Sequence, residues 1–312
     1  MRATVFGSAG LLGSALTSEC PSADCLAAER CFDGDLAETT NFGRSWRPAA
    51  WKDVWVNAAA KVGGVAANTA GVADFYRINS KIGINVIEQA RLNNVKKLVS
   101  ILSTCIYPDS EYVRYPLTEN QLHMGPPHHS NYGYAYAKRM VDVASRAYRQ
   151  QYGCNFITVI PNNLYGLNDN YDLSGGHVIP SLIRKFFEAH MRSTDVVVWG
   201  SGNPVREFTY APDAAKAIWW LAENYDGEHP VNVGCTDEIS IGDLAGKIGR
   251  LIGFKGQIKF DASKPDGQFR KPTSNDFMRS LGYNPTYTNL ECGLARTIDD
   301  FTNKYPNVRG IK

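Results

Sequence analysis

The stretch that most restricts the fold stands at the head of the chain. Thr4-Val5-Phe6 is a short apolar run, followed at once by Gly7-Ser8-Ala9-Gly10-Leu11-Leu12-Gly13, with glycines at the first, fourth and seventh positions. Leu11 to Ser18 then has helical character. A strand that enters a helix through such a loop can hold an anion. The first glycine makes the tight turn, the second lets the backbone approach a pyrophosphate, and the third lets the helix pack on the sheet. The helix N-terminus then faces the charge. Placement directly after a strand favours dinucleotide binding over a glycine set that serves packing alone.

The same rhythm continues. Cys25 to Ala28, Val54 to Asn57, Lys97 to Leu102 and Phe156 to Ile160 read as strands, and Ile78 to Asn93 and Ala135 to Gln151 as helices. This alternation predicts the α/β class, with a Rossmann-type doubly wound parallel sheet covered by helices on both faces. After about Pro161 the rhythm breaks into chain rich in Gly, Asn, Asp and Pro, through Gly166 to Asn170 and Ser174 to His177, as expected of a pocket. Helices return at Ile179–Ala189, Ala211–Glu223 and Ile241–Ile252. We expect a dinucleotide-binding domain over 1–165, joined by parts of 205–235. A smaller mixed α/β substrate-binding domain should occupy 166–204 and 236–312. A chain of 312 residues, 44% of them hydrophobic, has room for both.

Charge excludes some partners. The 33 basic and 31 acidic residues leave a net charge of +2, with no long basic run, so nucleic acid is not an expected partner. The seven cysteines show no CxxC spacing and no ladder of close pairs, which suits free thiols in a reducing compartment. The chain opens on a strand rather than a signal peptide, and no apolar run reaches the roughly 18 residues of a membrane span. A cytoplasmic protein with no membrane partner is the expectation. His and Cys do not cluster at ligand spacing, so no metal is expected.

Tyr134-Ala135-Tyr136-Ala137-Lys138 places a tyrosine and a lysine four residues apart, on one face of a helix. A nearby ammonium should favour the phenolate and lower the Tyr134 pKa from about 10. Such a tyrosine can give a proton to a carbonyl or remove one in reverse. Ser103, at the end of the preceding strand, is placed to share its hydrogen bonds. Tyr132 and Tyr136 are competitors, but only Tyr134 has the lysine. At the end of the second strand Glu29-Arg30 sets an acidic residue, suited to the ribose of NAD, beside an arginine, suited to the extra phosphate of NADP.

The glycine spacing with Ser103, Tyr134 and Lys138 resembles the short-chain dehydrogenase/reductase superfamily. Longer strings narrow it: Ala58-Ala59-Ala60-Lys61-Val62-Gly63-Gly64, Ser103-Thr104-Cys105-Ile106-Tyr107-Pro108, Pro161-Asn162-Asn163-Leu164-Tyr165-Gly166, His177-Val178-Ile179-Pro180, Val197 to Gly202, Arg206-Glu207-Phe208 and Asp261 to Gly267. In this order they look like the GDP-L-fucose synthase family, over nearly the whole chain. That resemblance implies an NADPH-dependent epimerase/reductase acting on a 4-keto sugar attached to GDP. Cys105 and His177 would be the acid/base pair that inverts carbons 3 and 5, and Tyr134 would protonate the carbon 4 oxygen during reduction.

It also implies cofactor contacts from residues 7–13, Arg30, Ala58, Ala59, Ala60, Leu102, Tyr134, Lys138, Pro161, Asn162, Asn163, Leu164 and His177. Asn163, Lys185, Arg206, Lys264 and Asp266 would meet the GDP-sugar, as would Trp199, which reads equally as core. The family commonly carries an arginine in the glycine loop where this chain has Ala9, leaving Arg30 to replace it. Lys185 stands where arginine is frequent. Family members are usually homodimers, and the two long helices are the candidate interface. A UDP-sugar epimerase would need no Cys105–His177 pair, a GDP-D-rhamnose-forming reductase would skip epimerisation, and a non-catalytic NADP-binding regulator would need only the glycine loop.

Overall fold

A computed structural model describes residues 2–22, 24–28, 36–37, 53–264 and 266–311. Among these the strands, in chain order, are β1 (Ala3–Phe6), β2 (Cys25–Ala28), β3 (Val54–Asn57), β4 (Lys97–Ile101), β5 (Phe156–Pro161), β6 (Asn163–Tyr165), β7 (Val196–Trp199), β8 (Val205–Tyr210), β9 (Val231–Val233), β10 (Glu238–Ser240) and β11 (Ile258–Asp261). The α-helices are α1 (Leu11–Ser18), α2 (Val65–Ala70), α3 (Val72–Leu92), α4 (Tyr132–Tyr152), α5 (Val178–Arg192), α6 (Ala211–Asn224), α7 (Ile241–Ile252), α8 (Asp276–Ser280) and α9 (Leu290–Lys304).

Six strands form one sheet in the order β2-β1-β3-β4-β5-β9, with every neighbouring pair parallel. β1, β3, β4, β5 and β9 are buried along their whole length, the pattern of a sheet covered on both faces. One face carries a core of Val5, Val56, Val99 and Val159 against α1 and α6, where the Trp219 indole donates to Leu16 O at 2.9 Å. The other packs Phe6, Trp55, Leu98 and Ile160 against Val86 and Ile87 of α3 and Val141 of α4. From β1 the chain builds outward to β2, then returns to place β3 on the other side. This switch point opens a crevice at the carboxyl ends of β1 and β3.

The second part has its own core, with Phe186 of α5, Leu244 of α7, Phe301 of α9, Val198 of β7 and Phe208 of β8. Around it stand a three-stranded sheet β10-β8-β6, antiparallel then parallel, and the parallel pair β11-β7. β9 returns to the large sheet after β6, β7 and β8 have been built elsewhere, so the two parts are interleaved. The architecture is the α/β, mostly parallel one expected. No helix among the described residues is long and apolar enough to cross a membrane.

Two helices start earlier than their apolar periodicity suggests, at Val72 rather than Ile78 and at Tyr132 rather than Ala135. In the first, Asn79 ties the expected helix back to the added turn. Asn79 donates to Phe75 O at 2.8 Å within the helix and clamps Lys61 through both its amide and its carbonyl, at 2.9 and 3.0 Å. Asn79 thus fastens the loop after β3 at Lys61.

Candidate active site

The glycine loop is built to receive something. Gly7 has φ +77°, and a Cβ there would stand 2.8 Å from the Ala59 backbone, so the loops after β1 and β3 meet at the switch point. A Cβ on Gly13 would lie 2.0 Å from Gly7 O, which forces glycine where α1 crosses the loop. Gly10 caps α1 without a side chain, and Ser14 N–H is the first to reach a helical carbonyl, Gly10 O at 2.8 Å. The amides of Leu11, Leu12 and Gly13 therefore have no intrahelical acceptor. Ser8 is 6% exposed and its hydroxyl has no partner among the described residues. An orphaned hydroxyl, three uncapped amides and a floor of bare glycine fit a dinucleotide pyrophosphate. Ala9 is exposed at the mouth. Arg30 and Glu29 lie outside the described residues.

Along the crevice, Ala58 packs against one core and Ala59 against the other, so their backbone forms its edge. Leu102 points its side chain into the core, leaving only its backbone for a ligand. Pro161 is buried, and Leu164 packs against the first core. Asn162 is spent: its amide donates to Glu207 Oε2 and Cys235 O, and its carbonyl accepts from Thr209 Oγ1 at 2.6 Å. The Asn163 amide donates to Glu207 O at 2.8 Å and remains half-buried.

Ser103, Tyr134 and Lys138 converge, but not with the electrostatics expected. Lys138 is buried and its ammonium donates to Ile101 O at 2.8 Å, not to the phenol. Burial pushes it down to about 8. Burial also pushes the Tyr134 phenol well above its usual range, Cys105 adds to that, and a hydrogen bond with Ser103 only partly offsets it. The expectation that Lys138 lowers the tyrosine pKa is therefore corrected. Helical spacing placed the two residues on one face, but the backbone carbonyl claims the ammonium and desolvation outweighs its charge. Tyr134 is held protonated, the form that can donate to a carbonyl.

Cys105 sits one turn beyond the end of β4, in a short 3-10 helix whose N-cap is Ser103; its N–H donates to Ser103 Oγ at 3.3 Å. His177 is the N-cap residue of α5, and the loop before it reaches the glycine-rich loop after β3. A glycine contact carries it there: Gly64 N–H donates to Gly175 O at 3.1 Å, tying the loop after β3 to the one before α5. Phe75 packs edge-on to Tyr134, with ring centroids 6.4 Å apart, and borders Gly63 in the same loop. The cleft walls and the charge of Arg309 hold the His177 imidazole below its usual range.

Arg206 donates to Val205 O and Phe269 O at 2.8 and 3.1 Å, and its charge reaches Cys105 and Asp266. Two further basic side chains, Lys271 and His128, escaped the sequence reading. Burial pushes the Lys271 ammonium down, Cys105 opposes that, and Arg206 adds to it. His128 is also held down by burial and feels both Lys271 and Arg206. Lys271 follows closely on Asp266, just beyond the Asp261–Gly267 string, and that adjacency was the available signal.

Farther out, Lys185 donates to Val197 O at 3.0 Å and lies 4.9 Å from the Trp199 ring centre, with Lys264 at 5.9 Å on the same ring. Trp199 is 49% exposed, so it is not core. Asp266 accepts from Ser201 N and Oγ at 2.7 and 2.8 Å, joining it to the chain just after β7.

Comparison with known proteins agrees with this geometry. Residues 3–234 match the model of the NAD dependent epimerase/dehydratase family. The chain is 41% identical to a GDP-L-fucose synthase of Sinorhizobium fredii, with 97% of this chain and 96% of the other covered. It is 44% identical to one of Dictyostelium discoideum, over 81% of this chain and 79% of the other. A crystal structure of a GDP-L-fucose synthetase from Naegleria fowleri bound to NADP superposes with a TM-score of 0.90 at 36% identity, covering 99% of this chain and 94% of that one. The chain belongs to the NAD dependent epimerase/dehydratase family and, within it, to the GDP-L-fucose synthases.

Proposed function

We propose that this chain converts GDP-4-keto-6-deoxy-D-mannose to GDP-L-fucose, inverting carbons 3 and 5 and then reducing the carbon 4 ketone with NADPH. One observation carries the reading. Cys105 and Ser103 share a single turn and Cys105 is felt by Tyr134, so one bound keto sugar meets both proton-transfer sets. Protons beside a ketone are acidic, and a base on one face with an acid on the other inverts the carbon through its enolate. Cys105 and His177 are the pair assigned to that work. NADPH, when bound, supplies the hydride. Tyr134, held protonated, gives the proton to the carbon 4 oxygen, Ser103 holds the phenol, and Lys138 places a positive charge behind it. Lys271, Arg206 and Lys185 line the path for the diphosphate, and Trp199 and Asp266 its nucleoside end.

The chain is further read as a homodimer in a reducing compartment such as the cytoplasm. Exposed Tyr76 and Ile84 on α3, with Tyr132 and Val143 on α4, offer an apolar surface to a second copy, and the six described cysteines are free thiols.

The test is a product assay. Purified protein, GDP-4-keto-6-deoxymannose and NADPH should consume the nicotinamide absorbance and yield GDP-L-fucose by NMR. Cys105→Ser and His177→Gln should each slow epimerisation by about 10²- to 10³-fold and shift product toward the unepimerised reduced sugar. Wild-type product at wild-type rate from both variants would refute the acid/base assignment.

A further inference from the structure

The anion site at the glycine loop is short of positive charge. Residues 7–13 include no Lys or Arg, although a pyrophosphate brings negative charge to the free amides of α1. A guanidinium reaches this loop from the opposite end of the chain. Arg309 Nη1 lies 3.9 Å from the position a Cβ on Gly10 would take. Its charge is also felt by His177 and by Asp169. Among the described residues no hydrogen bond or ion pair engages its guanidinium. Asp169 is 3% exposed and its Oδ2 has no partner among the described residues.

Arg309 is not on a loose tail. Its carbonyl accepts from Tyr171 N at 2.9 Å, and the next carbonyl, of Gly310, accepts from Arg184 Nη1 at 3.4 Å. Gly310 takes φ +88° and is wedged so closely under Asn170 that a Cβ would stand 2.1 Å from Asn170 Oδ1. Val308 and Ile311, on either side, pack on the third core. The backbone is held on both flanks while the arginine side chain stays free beside an uncapped helix end and the unpartnered hydroxyl of Ser8. A planar guanidinium with several donors suits paired phosphate oxygens.

We propose that Arg309 is a cofactor-binding residue whose guanidinium meets the pyrophosphate of NADP(H) across the glycine loop, so that the C-terminal segment supplies the cation the loop lacks. The proposal rests on the NADPH reading above.

The test is equilibrium binding of NADPH to the full chain without sugar, followed by nicotinamide fluorescence, so that no turnover is needed. Arg309→Gln should weaken NADPH about 10- to 100-fold, the range of a lost charge-assisted hydrogen bond. Arg309→Met, which keeps the apolar stem, should do the same and guards against a folding defect in the first variant. Adenosine 2′-monophosphate has the adenosine end and its phosphate but no pyrophosphate, and it should bind wild type and variants alike. Wild-type affinity for NADPH in both variants overturns the proposal. An equal loss for adenosine 2′-monophosphate overturns it too, by moving Arg309 to the far end of the cofactor. Failure of the wild-type chain to bind NADPH would instead sink the cofactor reading itself.

Discussion

The two sides of the cleft are held in place by different forces. On the cofactor side, Gly7, Ser103, Tyr134 and Lys138 stand at the carboxyl edge of one parallel sheet, positioned by buried apolar strands and by α4 packed against α3. On the sugar-nucleotide side, Lys185 on α5, Trp199 at the end of β7, Arg206 on β8, and Asp266 and Lys271 after β11 come from separate elements of the second part, fastened by polar ties. Asp266 holds Ser201, and buried Glu207 holds the Thr273 N–H at 2.9 Å and its hydroxyl at 2.6 Å. The apolar scaffold keeps its shape when a polar group is removed, so a substitution on the cofactor side should be read in chemistry. The polar scaffold uses its own side chains as fasteners, and a substitution there should be read in binding.

Tyr134→Phe should break this contrast most visibly if it is wrong. Removing the proton donor should slow carbon 4 reduction by about 10²- to 10⁴-fold and leave NADPH affinity nearly unchanged. Exchange of the carbon 3 and carbon 5 protons with deuterated water should continue, because Cys105 and His177 remain. Loss of exchange together with reduction would mean that the two proton-transfer sets do not act separately.

Lys138 offers the next largest effect, on stability. Its pKa falls from 10.5 to about 8 through burial. Below about pH 8 the folded state carries a desolvated ammonium, at a cost of about 3 kcal/mol by the size of the shift. Between there and pH 10.5 the unfolded chain binds more protons than the folded one, so this penalty lifts as pH rises. Lys138→Met should melt higher than wild type at pH 7, and the gap should close toward pH 10. A gap that widens with pH would show that the ammonium is stabilised where it sits. In activity the sign is opposite: reduction by the wild type should decline above about pH 8, as Lys138 loses its charge.

The same contrast explains what the sequence disclosed. The strands of the large sheet are apolar runs, and their periodicity gave the first five within a residue or so. The glycine loop and the Tyr134–Lys138 pair are local patterns, legible because one strand–turn–helix or one helical face holds the whole motif. β6 and β9 to β11 are three or four residues long, and pairing with distant chain, not local propensity, makes them strands. His128, Lys271 and Arg309 enter the cleft only through tertiary contacts. No spacing rule links Arg309 to Gly10. The Tyr134 electrostatics stayed hidden for a related reason: helical spacing shows that Lys138 shares a face with the tyrosine, not that Ile101 O lies nearer to it.

On the sugar-nucleotide side, Lys271→Met should raise the KM for the GDP-sugar about 10- to 100-fold with much less change in kcat. The ammonium is enclosed beside Arg206, where burial and like charge both penalise it until an anion arrives. A large fall in kcat at unchanged KM would move Lys271 from holding the substrate to its chemistry, and would blur the division between the two walls.

Lys185→Met should give the smallest change and the finest resolution of that division. This ammonium already donates to Val197 O and rests near the exposed Trp199 ring, so part of its hydrogen-bonding capacity is in use before any ligand arrives. It is also a point charge rather than a fork, and it is more open to water than Lys271. A loss near 1 kcal/mol, about fivefold in KM, is expected of a partly solvated ion contact. Raising the salt concentration should shrink the difference between wild type and this variant, while the Lys271→Met difference should persist, because an enclosed charge is screened less. If both differences fade alike with salt, the two lysines face the same solvent, and the enclosure inferred for Lys271 is wrong.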